Sequence, residues 1–119
     1  MGTEEIRRSF LVEPFLDHLR FERGLSELTL KAYEHDIVRL ASFSRTLDRI
    51  TPGEVTTADL RRFVLLLKDV GLAPASIART LSGIRTFFRF LLGEKLVTGD
   101  PSERIDPPKA GRALPEVLS

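Results

Sequence analysis

The chain has 119 residues and a mass of 13.4 kDa, the size of one compact domain, and 42% hydrophobic against 29% charged residues describe a folded globular chain. It holds no cysteine, which excludes disulfide frameworks, thiolate nucleophiles and every zinc site that needs sulfur. The net charge of +1 favours no class of partner, and His18 and His35 lack metal-ligand spacing, so neither a metal nor a cofactor is expected. No apolar run approaches the roughly 18 residues of a membrane span. No membrane partner is expected, and a cytoplasmic address follows.

Strand signals are missing: hydrophobic alternation is never sustained, and no Asn-Gly or Asp-Gly turn occurs. Four helical stretches carry punctuation at both ends. The first runs from Glu13 to Arg23, with Pro14 at its first helical position, a stripe of Phe15, Leu16 and Leu19, and Gly24 as a left-handed stop. Residues 4–12 are expected to add only a separate turn or a frayed end.

The second helix runs from the N-cap Ser26 to about Ser44. Leu30, Tyr33, Ile37, Leu40 and Ala41 recur at helical spacing, with Lys31, Glu34, His35 and Arg39 on the other side. Tyr33 falls on the apolar stripe and reads as a core residue. Pro52-Gly53 then marks a turn.

Thr56 opens the third helix, with Asp59 placed to complete a capping box. Leu60, Phe63, Val64 and Leu67 form its buried face, and the run from Val64 to Leu67 predicts burial on more than one side. Gly71 stops it. The fourth helix starts near Pro74 and reaches about Leu92, with Ile77, Leu81, Ile84, Phe88 and Leu91 on one stripe. Its second half is crowded with phenylalanine. Its first half shows Ala75, Ser76, Arg79, Thr80, Ser82 and Gly83, a surface that something could approach closely.

From Gly99 the texture changes. Four of the seven prolines lie between Asp100 and Ser119, and Asp106-Pro107-Pro108-Lys109 cannot continue a helix. One short turn fits at residues 100–103, and the remainder reads as a linker. The expected organisation is therefore an all-α domain of four main helices over residues 1–108, with a linker and the start of a further domain at 109–119. Residues 111–119 are expected to be mobile.

Little in the chain could carry covalent chemistry. There is no phosphate-binding glycine loop and no nucleophile elbow, and no catalytic residue is assigned. The informative positions lie in the first halves of the second and fourth helices. Residues 75–94 carry Arg79, Arg85 and Arg89 against Glu94 alone. Lysine and arginine suit phosphates and guanine edges, hydroxyls suit phosphates, and small residues let a helix enter a groove. Solvated helix faces would show the same residue types, and an all-α protein–protein interaction domain would too. The residues alone leave these readings open.

The string FLDHLRFERGLSELTLKAYEHDI at 15–37 resembles the start of tyrosine recombinases of the Xer and phage-integrase type. The string GLAPASIARTLSGIRTFFRFL at 71–91 resembles their fourth helix, and Asp100-Pro101, Pro107-Pro108-Lys109 and LPEVLS at 114–119 resemble the link to their catalytic domain. The resemblance implies a SAM-like core-binding domain, a small helical bundle that clamps one side of a double-stranded DNA recombination site. It places Thr29, Lys31 and His35 of the second helix, and Ser76, Arg79 and Gly83 of the fourth, on the DNA side, and Ser82 joins them on residue type alone. The family's catalytic arginines, lysine, histidines and tyrosine belong to a second domain, so this chain is expected to bind and not to cut. Its own catalytic domain and other recombinase protomers on DNA are the implied partners. Arg89, set among Phe87, Phe88 and Phe90, is expected to snorkel to solvent away from the DNA.

Overall fold

The computed structural model describes residues 2–106. Those residues form α1 (Thr3–Ser9), α2 (Val12–Phe21), α3 (Glu27–Thr46), a 3₁₀ turn (Pro52–Glu54), α4 (Thr57–Asp69) and α5 (Pro74–Gly93), with no strand among them. The four helices expected from periodicity are α2 to α5. The count is corrected to five by α1, where only a turn was expected. Expectations that fall on residues 107–119 lie outside the described residues.

α1 has Glu4 and Glu5 in its first turn and Arg7 and Arg8 in its last, which complements the helix dipole, yet it buries no residue. It is held from outside. Arg7 bridges to Glu13 of α2 and Glu34 of α3. Leu11, at φ 61°, breaks the chain between α1 and α2. Pro14 sits at the third residue of α2 rather than the first. The shift costs no hydrogen bond, because the first four amides of a helix have no intrahelical acceptor. Gly24 stops α2 at φ 63°, and the Leu25 amide returns to the Leu19 carbonyl at 3.2 Å.

The caps of α3 and α4 are formed as their sequences predict. Ser26 accepts the Thr29 amide at 3.3 Å. Thr56 accepts the Asp59 amide at 3.1 Å, while the Thr56 amide donates to Asp59 at 3.0 Å. Leu60, Phe63 and Leu67 of α4 are buried, but Leu65 is 57% and Leu66 37% exposed. The apolar run was expected to be covered on more than one side; α4 instead buries a single stripe against α3 and α5.

The core is built around α5, whose Ile77, Leu81, Ile84, Phe87, Phe88 and Leu91 are all buried. Phe87 stacks on Phe10 at 5.7 Å between ring centroids and takes Phe15 edge-on at 5.1 Å. Beyond α5, the chain does not leave the bundle at Gly99 as a linker would. Val97, Ser102 and Ile105 are buried. Asp100 accepts both the amide and the hydroxyl of Ser102, at 2.9 and 2.6 Å, in the turn anticipated there. Thr57 donates to the Pro101 carbonyl at 3.0 Å, and Arg85 donates to the carbonyls of Ser102 and Ile105. No described helix is long and apolar enough to cross a membrane.

Candidate nucleic-acid interface

α3 and α5 meet through the smallest residue either one offers. A Cβ built on Gly83 would lie 3.3 Å from Asp36 Oδ2 and 3.5 Å from the Tyr33 ring. Glycine therefore lets α3 seat its tyrosine and aspartate against the α5 backbone. Gly83 is buried, its backbone covered by Tyr33 and Asp36 of α3. Thr80 is likewise only 2% exposed, and its hydroxyl donates to Asp36 Oδ1 at 3.3 Å. Tyr33 is half-buried and edge-on to Phe15 at 5.8 Å, in keeping with its reading as a core residue.

Above this contact lies a cleft of about 220 Å³ lined by Thr29, Ala32, Tyr33 and Asp36 of α3 and by Arg79, Ser82 and Gly83 of α5. Four of the seven residues singled out from sequence thus share one cleft: Thr29, Arg79, Ser82 and Gly83. The other three do not. Lys31 and His35 line a neighbouring depression of about 330 Å³ with Arg7, Glu34 and Val38. Residues two apart on a helix point about 160° away from each other, so Thr29 and Lys31 cannot face one cleft. Ser76 is half-buried in the first turn of α5, outside either lining.

Arg79, Ser82, Thr29, Lys31 and His35 are exposed. Among the described residues neither Arg79 nor Lys31 has a carboxylate within ion-pair distance, whereas Arg7, Arg20 and Arg49 do. Arg39 lies 2.6 Å from His35 Nε2. Asp36 is the acid that sequence reasoning missed. Burial pushes its carboxyl above the usual aspartate range, against the opposing pull of the Thr80 hydroxyl and of Arg39, His35 and Arg79. Nothing in the sequence separates it from a solvated acid on a polar face. Its position opposite a glycine of another helix becomes visible only in the fold.

Arg89 is exposed, as expected. It lines a separate depression of about 260 Å³ with His18, Arg23, Thr86, Phe90, Gly93 and Glu94. No cluster of three or more His, Asp or Glu side chains suited to a metal occurs among the described residues.

The arrangement offers hydroxyl, guanidinium and ammonium donors on two packed helices, a set suited to phosphates and base edges. Residues 12–95 match the family described as phage integrase, N-terminal SAM-like domain. The chain is 38% identical to the tyrosine recombinase XerD of Oceanobacillus iheyensis over 111 residues, covering 92% of the chain and 37% of that protein. It is 40% identical to the tyrosine recombinase XerD of Chlorobaculum tepidum over 108 residues, covering 91% of the chain and 35% of that protein. With the tyrosine recombinase XerC of a Roseiflexus species it shares 38% identity over 108 residues, 91% of the chain and 34% of that protein. The chain thus spans about a third of the length of these curated relatives. No solved structure matches it significantly. With the family match extending from the start of α2 to just beyond α5, the chain belongs to the phage-integrase N-terminal SAM-like domain family.

Proposed function

We propose that the chain is the DNA-binding module of a site-specific tyrosine recombinase, and that it holds one side of the recombination site through α3 and α5. The observation that carries this reading is the cleft where Thr29, Arg79 and Ser82 converge from two helices, with Arg79 free of any carboxylate partner among the described residues. Lys31 and His35 add donors on the neighbouring face of α3, and Ser76 lies in the first turn of α5. Gly83 contributes by closing the two helices on each other. Strand cleavage is assigned to a catalytic domain elsewhere in the parent protein, and the site of action is the cytoplasm, where the DNA lies. The domain is read as residues 1–108, with 109–119 leading toward that second domain.

A protein-binding role has one observation in its favour: Leu65, Leu66 and Val70 are exposed on and just beyond α4. It fits a contact with other recombinase protomers assembled on DNA and does not compete with the α3–α5 surface. The test is duplex binding as a function of salt. Each phosphate contact contributes about −0.9 to the log–log slope, so a handful of contacts gives a slope of about −3 to −5. Affinity indifferent to salt, or no duplex binding at low salt, overturns the proposal.

A further inference from the structure

We infer that Asp36 is a base-reading residue of this interface, accepting a hydrogen bond from the exocyclic amino group of a cytosine in the major groove. The inference rests on the DNA-binding reading above and adds to it a specificity element that neither charge nor helix position assigns.

Asp36 is half-buried and lines the cleft together with Thr29, Ala32, Arg79 and Ser82. An ionised carboxylate accepts about four hydrogen bonds and donates none. Among the described residues only one donor reaches it, the Thr80 hydroxyl at Oδ1. Oδ2 receives none, and no cation lies within ion-pair distance of either oxygen. The absence of a side chain on Gly83 leaves Oδ2 its place at the base of the cleft. The cleft therefore holds an acceptor with unused capacity, beside an arginine that can only donate.

DNA offers such an acceptor very little. Phosphates repel it, as do the N7, O6 and O4 acceptors of the major-groove edge. The groups that can satisfy it there are the amino groups of cytosine and adenine, and carboxylates pair characteristically with cytosine N4. Adenine sets its amino group beside the N7 acceptor, whereas cytosine presents its amino group alone. Cytosine is accordingly the better partner. Arg79, on the opposite wall, has the donors for a guanine edge. The two walls of the cleft thus read complementary chemistry.

The experiment selects binding sites from a randomised duplex library at low salt, using the intact protein and its Asp36→Asn and Thr80→Val variants. Thermal unfolding of each variant is followed in parallel. Asparagine has the same shape and keeps an oxygen for the Thr80 hydroxyl, but it can donate as well as accept. The wild-type protein should enrich a motif with cytosine at one position. Asp36→Asn should lose about tenfold of that preference over thymine while leaving the other positions unchanged, and Thr80→Val should retain it. Replacing that cytosine by pyrimidin-2-one, which deletes the 4-amino group, should weaken wild-type binding about tenfold and Asp36→Asn binding far less. The same replacement at an unselected cytosine should have little effect on either. An identical motif from wild type and Asp36→Asn, or equal sensitivity of both to the amino deletion, overturns the inference while leaving DNA binding intact. Failure of every protein to bind any duplex overturns the DNA-binding reading itself.

Discussion

One oxygen of Asp59 accepts both the Thr56 amide, at 3.0 Å, and the Arg49 guanidinium, at 2.8 Å. The residue is 3% exposed. Burial pushes its carboxyl up, and the Arg49 and Thr56 donors more than offset this, leaving it below the usual aspartate range. An acid with a lowered folded-state pKa contributes stability that is full above the unfolded value near pH 3.9 and is lost as pH falls through the lowered folded value. Asp59→Ala should therefore cost about 2 kcal/mol at neutral pH, through the lost cap and ion pair. The expected fall in Tm is roughly 10 °C. The gap from wild type should close as the pH is lowered through the acidic limb. Asp36 runs the other way: burial raises its carboxyl, so its cost to stability is present above the raised folded value and vanishes below the unfolded one. Removing that charge should help the fold at neutral pH and make no difference in acid. Unfolding curves of Asp59→Ala and Asp36→Asn across pH check both signs.

At the scale of the helices, the sequence is legible where the physics is local. α3, α4 and α5 carry hydrophobic periodicity, and their starts are marked by Ser26, by the Thr56–Asp59 box and by Pro74. α1 was missed because it has seven residues and no buried stripe, and its anchor, Arg7 between Glu13 and Glu34, pairs residues distant in sequence. The segment after α5 is legible only in part. Its prolines and polar residues are those of a linker, yet Val97 and Ile105 close the core and Arg85 reaches across from α5 to the carbonyls of Ser102 and Ile105. Arg85→Ala should leave α3 and α5 intact while raising amide exchange over residues 101–106. Equal protection in both proteins would mean that side-chain burial alone holds the segment. Within the candidate site, Thr29, Arg79 and Ser82 were readable as polar positions on apolar helices. Gly83 was ambiguous, since a small residue serves close approach by a groove and close packing by a helix equally well, and here packing takes it.

Over the whole molecule, 18 basic residues nearly balance 17 acidic ones, so no global field draws the domain to DNA. The α3–α5 face offers cations without carboxylate partners, as most basic side chains of the described residues do. Arg7, Arg20 and Arg49 are engaged by carboxylates, while Arg79 and Lys31 have none within reach among the described residues. A surface of unpaired cations on packed helices can release counterions on meeting phosphates without breaking internal ion pairs.

The comparison of Arg79→Ala with Arg89→Ala on one duplex, enriched from random sequence and titrated at several salt concentrations, tests the placement of the interface most directly. Both arginines are exposed on α5, ten residues and about 15 Å apart along its axis. Arg79 opens onto the cleft with Thr29, Ser82 and the Asp36 carboxylate, whereas Arg89 lines a separate depression with His18, Phe90 and Glu94. Arg79→Ala should cost about 1–3 kcal/mol of binding if it reads a base, or less, with a shallower salt slope, if it holds a phosphate. Arg89→Ala should leave binding nearly unchanged. Equal losses would mean that only bulk charge counts, and a larger loss at Arg89 would place the DNA at the other end of α5.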